Sequence, residues 1–205
     1  MTTPSETLPA TATDPREFLF RAADQAVAVV GLVRPDRLPA PTPCDEYDVR
    51  HLTGHVVAVL RRIAYVAGGG HAFDDPSVVL DLPDDGWSAA AAANAADLRA
   101  AWADDAVLDR VLRLPWGEVP GRGAALAYVQ ELTTHSWDLA TALGRPDVLD
   151  PGLAEPALVA AQQYLPAQPR GGPIPFGPPV QVAADAPPYQ RLVAWLGRDP
   201  QWSAS

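Results

Sequence analysis

Apolar residues recur at three- and four-residue steps in several separate stretches, the period of a helix that buries one face. Phe18, Leu19, Ala22, Ala26, Val29, Val30 and Val33 mark the first. Asp14 is placed to cap it, Pro15 suits its first turn, Glu17 can close a capping box, and Pro35 ends it. A second start falls at Asp48. Val49, Leu52, Val56, Val59, Ile63 and Val66 then outline an amphipathic helix of about five turns, stopped by Gly68-Gly69-Gly70. The alanine-rich stretch from Ser88 to Ala103 is a third helix on propensity alone, with Ala91, Ala95, Leu98 and Trp102 facing inward. A fourth runs from Arg122 to Leu143, closed by Gly144 and Pro146.

The remaining segments are shorter. Leu112 to Gly121 is broken by Pro and Gly and reads as a turn or short hairpin. A fifth helix is expected to begin near Asp150-Pro151 or Glu155-Pro156 and to end by Leu165-Pro166. Residues 166–188, rich in Pro and Gly, read as an irregular strap, and a last short helix spans Tyr189 to Leu196 before Gly197. There is no alternating run of strand length and no repeat at a solenoid period. The expectation is an all-α fold: a four-helix bundle with C-terminal short helices and a Pro/Gly-rich strap. Residues 1–13, rich in Thr, Ser and Pro, are expected to be disordered, and 14–200 to form a single helical-bundle domain, since 205 residues suit one core.

Charge and composition narrow the function. The net charge of -10 argues against nucleic acid or an anionic membrane as partner, since both call for basic surface. The longest apolar run, Ala26 to Val33, is far below the roughly 20 residues that span a bilayer. Cys44 is the lone cysteine, so no internal disulfide forms. The first residues show neither a basic segment nor an apolar stretch of the secretory kind, and a cytoplasmic location is expected. Every basic residue is Arg, Lys is absent and Asn occurs once, a codon bias that fits a GC-rich genome.

The chemistry concentrates on the second and fourth helices. Glu131 and His135 lie four apart, hence on one helix face. At about 100° per residue, Tyr128, Leu132, Leu139, Ala142 and Asp138 surround the same direction, so a carboxylate and an imidazole sit on the stripe meant for the core. A buried carboxylate must be paired or bound to a metal. An internal Glu–His or Glu–Arg pair is one reading. His55, between Leu52 and Val59 at the edge of the second helix's apolar face, supports the other. Two imidazoles and a carboxylate make three protein ligands that leave coordination open for water or substrate.

Other residues carry weaker readings. His51 also has metal-compatible spacing to His55 but lies about 40° further toward the polar side, and is expected to face solvent or to support a ligand from behind. His71 reads as surface. Cys44 is either a nucleophile favoured by a helix start or, more simply, a packing residue. Arg62, seven residues after His55 on a similar heading, either holds an anionic substrate or thiol carboxylate at the mouth of the site or is a solvated charge. Trp137 reads as packing. Asp138 either accepts from a ligating imidazole or makes a helix-to-helix hydrogen bond. Without a cation, the Glu131 carboxyl is expected to rise in pKa through desolvation.

The segment Thr42-Pro43-Cys44, followed by Tyr47-Asp48-Val49-Arg50, Leu52 and His55, resembles the approach to the second helix in DinB-like metal-binding proteins. More narrowly, it is similar to actinobacterial relatives of the mycothiol-dependent maleylpyruvate isomerase metal-binding domain. His135-Ser136-Trp137-Asp138-Leu139-Ala140 resembles their His-x-Trp-Asp-Leu-Ala signature. Phe176-Gly177-Pro178-Pro179-Val180 and Leu196-Gly197-Arg198-Asp199-Pro200 resemble their tail. The likeness spans about Pro15 to Pro200. It implies a DinB-like bundle whose metal ligands are His55, Glu131 and His135. It further implies a divalent metal, Zn2+ before Ni2+ or Fe2+, and mycothiol as cosubstrate. His51 and Glu46-Tyr47 stand where an acidic residue and Gly-Trp are common, and no counterpart of the additional C-terminal domain of the full isomerase is expected.

The function expected on these grounds is that of a metal-dependent enzyme, a thiol S-transferase or isomerase-like protein acting on a small electrophile. The alternatives are a thiol-independent lyase, cyclase or hydrolase, and a non-catalytic metal-binding protein. A small-molecule substrate and mycothiol are the expected partners, with a homodimer as the candidate assembly.

Overall fold

A computed structural model describes residues 14–171 and 176–203. The expectation for residues 1–13 falls outside the described residues. The first helix, α1 (Pro15–Val30), begins where Asp14 accepts the Arg16 backbone N–H at 2.9 Å. It stops short of Val33 because Gly31 and Leu32 close it with hydrogen bonds back to Val27 and Val29. Helix α2 (Val49–Ala67) starts on Asp48, whose carboxylate accepts the His51 N–H at 2.8 Å. Helix α3 covers Trp87–Ala101. The Pro/Gly-broken stretch is a hairpin of β1 (Val111–Leu114) and β2 (Gly117–Pro120), paired antiparallel. Helix α4 (Gly121–Ala142) follows directly, then α5 (Ala154–Tyr164) and α6 (Pro188–Trp195).

Cross-links between helices give their directions. Asn94 donates to the Val57 carbonyl and Trp102 Nε1 to the Ile63 carbonyl, so α2 and α3 run the same way. Arg99 near the end of α3 pairs with Asp24, while Arg16 at the start of α1 reaches the Trp102 carbonyl, so α1 opposes α3. Arg37, beyond α1, donates to the Ala142 carbonyl at the end of α4, making these two parallel. Arg110 ties the Ala67 carbonyl at the end of α2 to the start of α4, and α2 and α4 are therefore antiparallel. Among the described residues, the regular elements are helices but for the small hairpin, and the four long helices run in the up-down-down-up order.

Apolar stripes meet in one core. Leu19, Leu52, Leu60, Ile63, Leu98, Trp102, Leu132 and Leu139 are all fully or almost fully buried. The four inward residues expected on α3, Ala91, Ala95, Leu98 and Trp102, are buried as well. Helix α5 packs on α4 and α6 on α5. Tyr189 anchors α6 by donating to the Asp150 carbonyl at 3.0 Å.

The chain after α2 turns back along that helix, and Val79 N–H donates to the Gly54 carbonyl at 3.2 Å. A Cβ at position 54 would lie 2.1 Å from the Val79 carbonyl oxygen. The helix can carry the loop this closely only with glycine there.

Gly54→Ala should therefore push the loop off α2 and cost about 1–3 kcal/mol of stability, the usual penalty of overpacking. Urea unfolding measures it. A variant as stable as the parent would show that the loop yields freely.

Candidate metal centre

His55, Glu131 and His135 converge between α2 and α4. One ligating atom from each lies within 4.8 Å of the others. His55 Nε2 stands 3.2 Å from Glu131 Oε1, and His135 Nε2 stands 3.7 Å from the same oxygen. The imidazole rings meet edge to face with centroids 4.7 Å apart. The antiparallel pairing of α2 and α4 brings residues 55 and 131 to the same level, and the four-residue step on α4 sets His135 one turn along.

The outer nitrogen of each ring is occupied. His55 Nδ1 faces the Ser77 carbonyl at 2.8 Å. A carbonyl only accepts, so Nδ1 carries the proton and donates. This is the loop that Gly54 admits. His135 Nδ1 faces Asp138 Oδ2 at 3.0 Å. Asp138 is fully buried, and its carboxyl is held below the usual carboxylate range: burial opposes ionisation, but the Arg198 charge and the His135 contact outweigh it. The ionised carboxylate accepts, so His135 Nδ1 also donates.

With both Nδ1 atoms protonated, a neutral ring presents the Nε2 lone pair to Glu131. Three electron-rich atoms then point at one another. The arrangement is stable only with a cation among them, whether protons on the imidazoles or a metal. Donors about 2.0–2.1 Å from a tetrahedral cation stand roughly 3.3–3.4 Å apart, close to the 3.2 and 3.7 Å found here. The donor set and its orientation fit a divalent metal.

In the absence of a metal, the expectation for Glu131 is reversed. Burial alone would raise its carboxyl. The hydrogen bond to His55 and the charges of His135, His55 and Arg198 outweigh burial and bring it down to about 2. The carboxylate is not left unpaired, because His55 Nε2 lies within hydrogen-bond reach of it.

The other candidates separate clearly. His51 is exposed and its Nδ1 pairs with Asp48 at 2.8 Å, away from the trio. His71 caps a short turn by accepting the Phe73 N–H, and is partly buried rather than a free surface group. Trp137 is buried packing. Asp138 fills both roles weighed for it, holding His135 and bridging to Arg198. Cys44 is buried, and desolvation pushes its thiol up to about 11. It nevertheless lies beside His135 and Asp138, one atom from each falling within 4.8 Å of the others. Arg62 is not a solvated charge at a mouth: it is 8% exposed and donates to the Asp75 carbonyl at 3.1 Å.

Two contributors were not assigned from the sequence. Arg198, after α6, binds Asp138 through Nε and Nη2 at 3.3 and 3.1 Å and is itself nearly buried. Its place in the Leu-Gly-Arg-Asp-Pro tail was the available sign. The Ser77 carbonyl is a backbone group, and no residue type announces it. Tyr47 stacks on the His55 ring with centroids 5.4 Å apart and walls that side of the site.

Comparison with known proteins adds to this geometry. The family model described as the mycothiol maleylpyruvate isomerase N-terminal domain matches residues 19–140. Two proteins of Mycobacterium tuberculosis, from strains CDC 1551 / Oshkosh and ATCC 25618 / H37Rv, are described as uncharacterized. Each is 35% identical to this chain over 185 residues, covering 90% of this chain and 98% of the relative. No solved structure matches the chain significantly.

The depressed Glu131 carboxyl carries a pH dependence. Its folded value of about 2 lies below the ordinary value of 4.5. Its contribution to stability is therefore complete above about 4.5 and is lost as pH falls toward about 2. In metal-free protein, stability should drop across that window, and Glu131→Gln should flatten the drop. Denaturant unfolding at a series of pH values checks it. An acid limb of equal depth in both proteins would contradict the pairing.

Proposed function

Because the chain belongs to the mycothiol maleylpyruvate isomerase N-terminal domain family, we propose that it is a metal-dependent enzyme of thiol chemistry. His55, Glu131 and His135 hold a divalent cation, zinc before nickel or iron, and a low-molecular-weight thiol of the mycothiol class adds to a small electrophile. The observation that carries this reading is the convergence of two Nε2 atoms and a carboxylate whose other contacts already fix the tautomers.

When bound, a divalent cation supplies Lewis acidity that favours thiolate over thiol near neutral pH. The protein's own groups prepare the place. Ser77 and Asp138 accept the Nδ1 proton of each imidazole, which turns both Nε2 atoms toward Glu131. Arg198 keeps Asp138 ionised so that it continues to accept. Glu131 adds one negative charge, leaving a divalent site with net positive charge that favours an anionic sulfur. Cys44 supports an external nucleophile, because a thiol raised to about 11 stays protonated at neutral pH.

Among the described residues, no helix is long and apolar enough to cross a membrane. We place the protein in the cytoplasm, where a reduced thiol pool is available.

Removing the side chain of His55, Glu131 or His135 should abolish metal retention, while His51→Ala should leave it unchanged; metal analysis of purified variants decides this. Asp138→Asn should weaken metal binding by about 10–100-fold through loss of the orienting acceptor. Full occupancy in His135→Ala would sink the assignment. At fixed metal occupancy, turnover of a model electrophile should require added mycothiol. Equal rates with and without it would remove the thiol reading and leave metal-assisted lyase or hydrolase chemistry for that substrate.

A further inference from the structure

Where the parallel helices α1 and α4 end side by side, the chain leaves a cavity of about 360 Å³. Its walls are Leu32, Arg34, Asp36, Arg37, Leu143 and Arg145. Arg37 Nη2 donates to the Ala142 carbonyl at 2.9 Å, which ties the turn after α1 to the last residue of α4. The Arg145 N–H donates back to the Ala140 carbonyl at 2.8 Å and folds the chain over the end of that helix. Leu143 lies about 12 Å beyond His135 at the helical rise per residue, so the cavity is separate from the trio.

Three guanidinium groups and one carboxylate line this cavity, in a chain whose net charge is -10. Arg34 pairs with Asp36 at 3.1 Å and Arg145 with Asp147 at 2.9 Å, and both pairs are exposed. Exposed pairs of this kind contribute little, so a ligand can draw either guanidinium from its partner. Arg37 is half-buried and meets the Ala142 carbonyl; among the described residues no carboxylate pairs with it. The negative end of α4 takes up part of its charge, an effect confined to the last turn and screened by salt. Each guanidinium carries five N–H donors, of which these contacts use one or two. Positive charge and free donors are thus left facing the cavity.

We infer that this cavity binds a small soluble phosphate monoester. The phosphate brings about -1.5 to -2 charges at neutral pH and three acceptor oxygens. Planar guanidinium forks grip such oxygens in pairs, and three of them around one cavity suit that group better than a single carboxylate. Leu32 and Leu143 give the organic part of the ester an apolar surface. A nucleic-acid strand or an anionic bilayer would also meet the rest of an acidic chain and be repelled, which favours a ligand confined to the cavity. The inference goes beyond the proposed function and uses none of its residues.

The test is calorimetric titration of phenyl phosphate, benzoate and phenol into metal-stripped protein, so that no anion binds through a metal. Phenyl phosphate should bind with Kd below about 1 mM. It should bind at least about tenfold more tightly than either of the others, the scale of one charge-assisted hydrogen bond. Arg37→Gln and Arg145→Gln should each weaken it by about tenfold. Arg122→Gln, at the far end of α4, removes the same charge and should leave it unchanged. Arg145 is exposed, so its variant decides alone should Arg37→Gln fail to fold. Vesicles containing phosphatidic acid should not retain the protein. Phenyl phosphate bound no more tightly than phenol, or weakened as much by Arg122→Gln as by Arg145→Gln, would overturn the site. Benzoate bound as tightly as phenyl phosphate would overturn the choice of phosphate. Retention on the vesicles that Arg145→Gln abolishes would assign the cavity to a lipid headgroup and overturn the soluble ester.

Discussion

Two hydrogen bonds, from His55 Nδ1 to the Ser77 carbonyl and from His135 Nδ1 to the Asp138 carboxylate, decide which nitrogen each imidazole turns toward the bundle interior. With the outer nitrogens committed as donors, the inner ones are left as acceptors facing a third acceptor, Glu131. Such a cluster needs a positive charge at its centre. A metal ion bound there would use a fixed set of lone pairs, and it could bind only where no proton occupies them.

Much of the architecture serves those two contacts. The glycine at position 54 lets the loop after α2 lie against the helix, which is what brings the Ser77 carbonyl to His55. On the other side, α5 and α6 carry the chain back so that Arg198 meets Asp138 inside the protein. The C-terminal segments thus reach the site through a chain of charge: Arg198 holds Asp138, Asp138 holds His135, and His135 faces Glu131. Loosening the tail should be felt at the centre without any ligand being altered.

The helices and the trio were legible because both depend on local spacing. Periodicity places His55 near its apolar stripe and Glu131 and His135 on theirs, and these stripes pack together. The termination of α1 at Gly31 was not visible, since Leu32 and Val33 continue the apolar pattern while the backbone has already tightened. Long-range partners were not legible either. Arg62 reads either as a group holding an anion or as a solvated charge, its contact with the Asp75 carbonyl being invisible in the sequence, and Arg198 is remote in sequence from the aspartate it pairs with. The reversed expectation for Glu131 has the same origin, because its ionisation depends on groups from α2 and the tail as well as on burial.

A cation held by two imidazoles and a carboxylate would leave Cys44 beside the site but outside the ligand set. X-ray absorption at the zinc edge, on zinc-loaded protein without added thiol, tests this most directly. The expected spectrum shows only nitrogen and oxygen neighbours near about 2.0–2.1 Å, with an imidazole scattering pattern from two rings. A sulfur neighbour near about 2.3 Å would mean that Cys44 binds the metal, and a spectrum without imidazole scattering would mean that the trio does not.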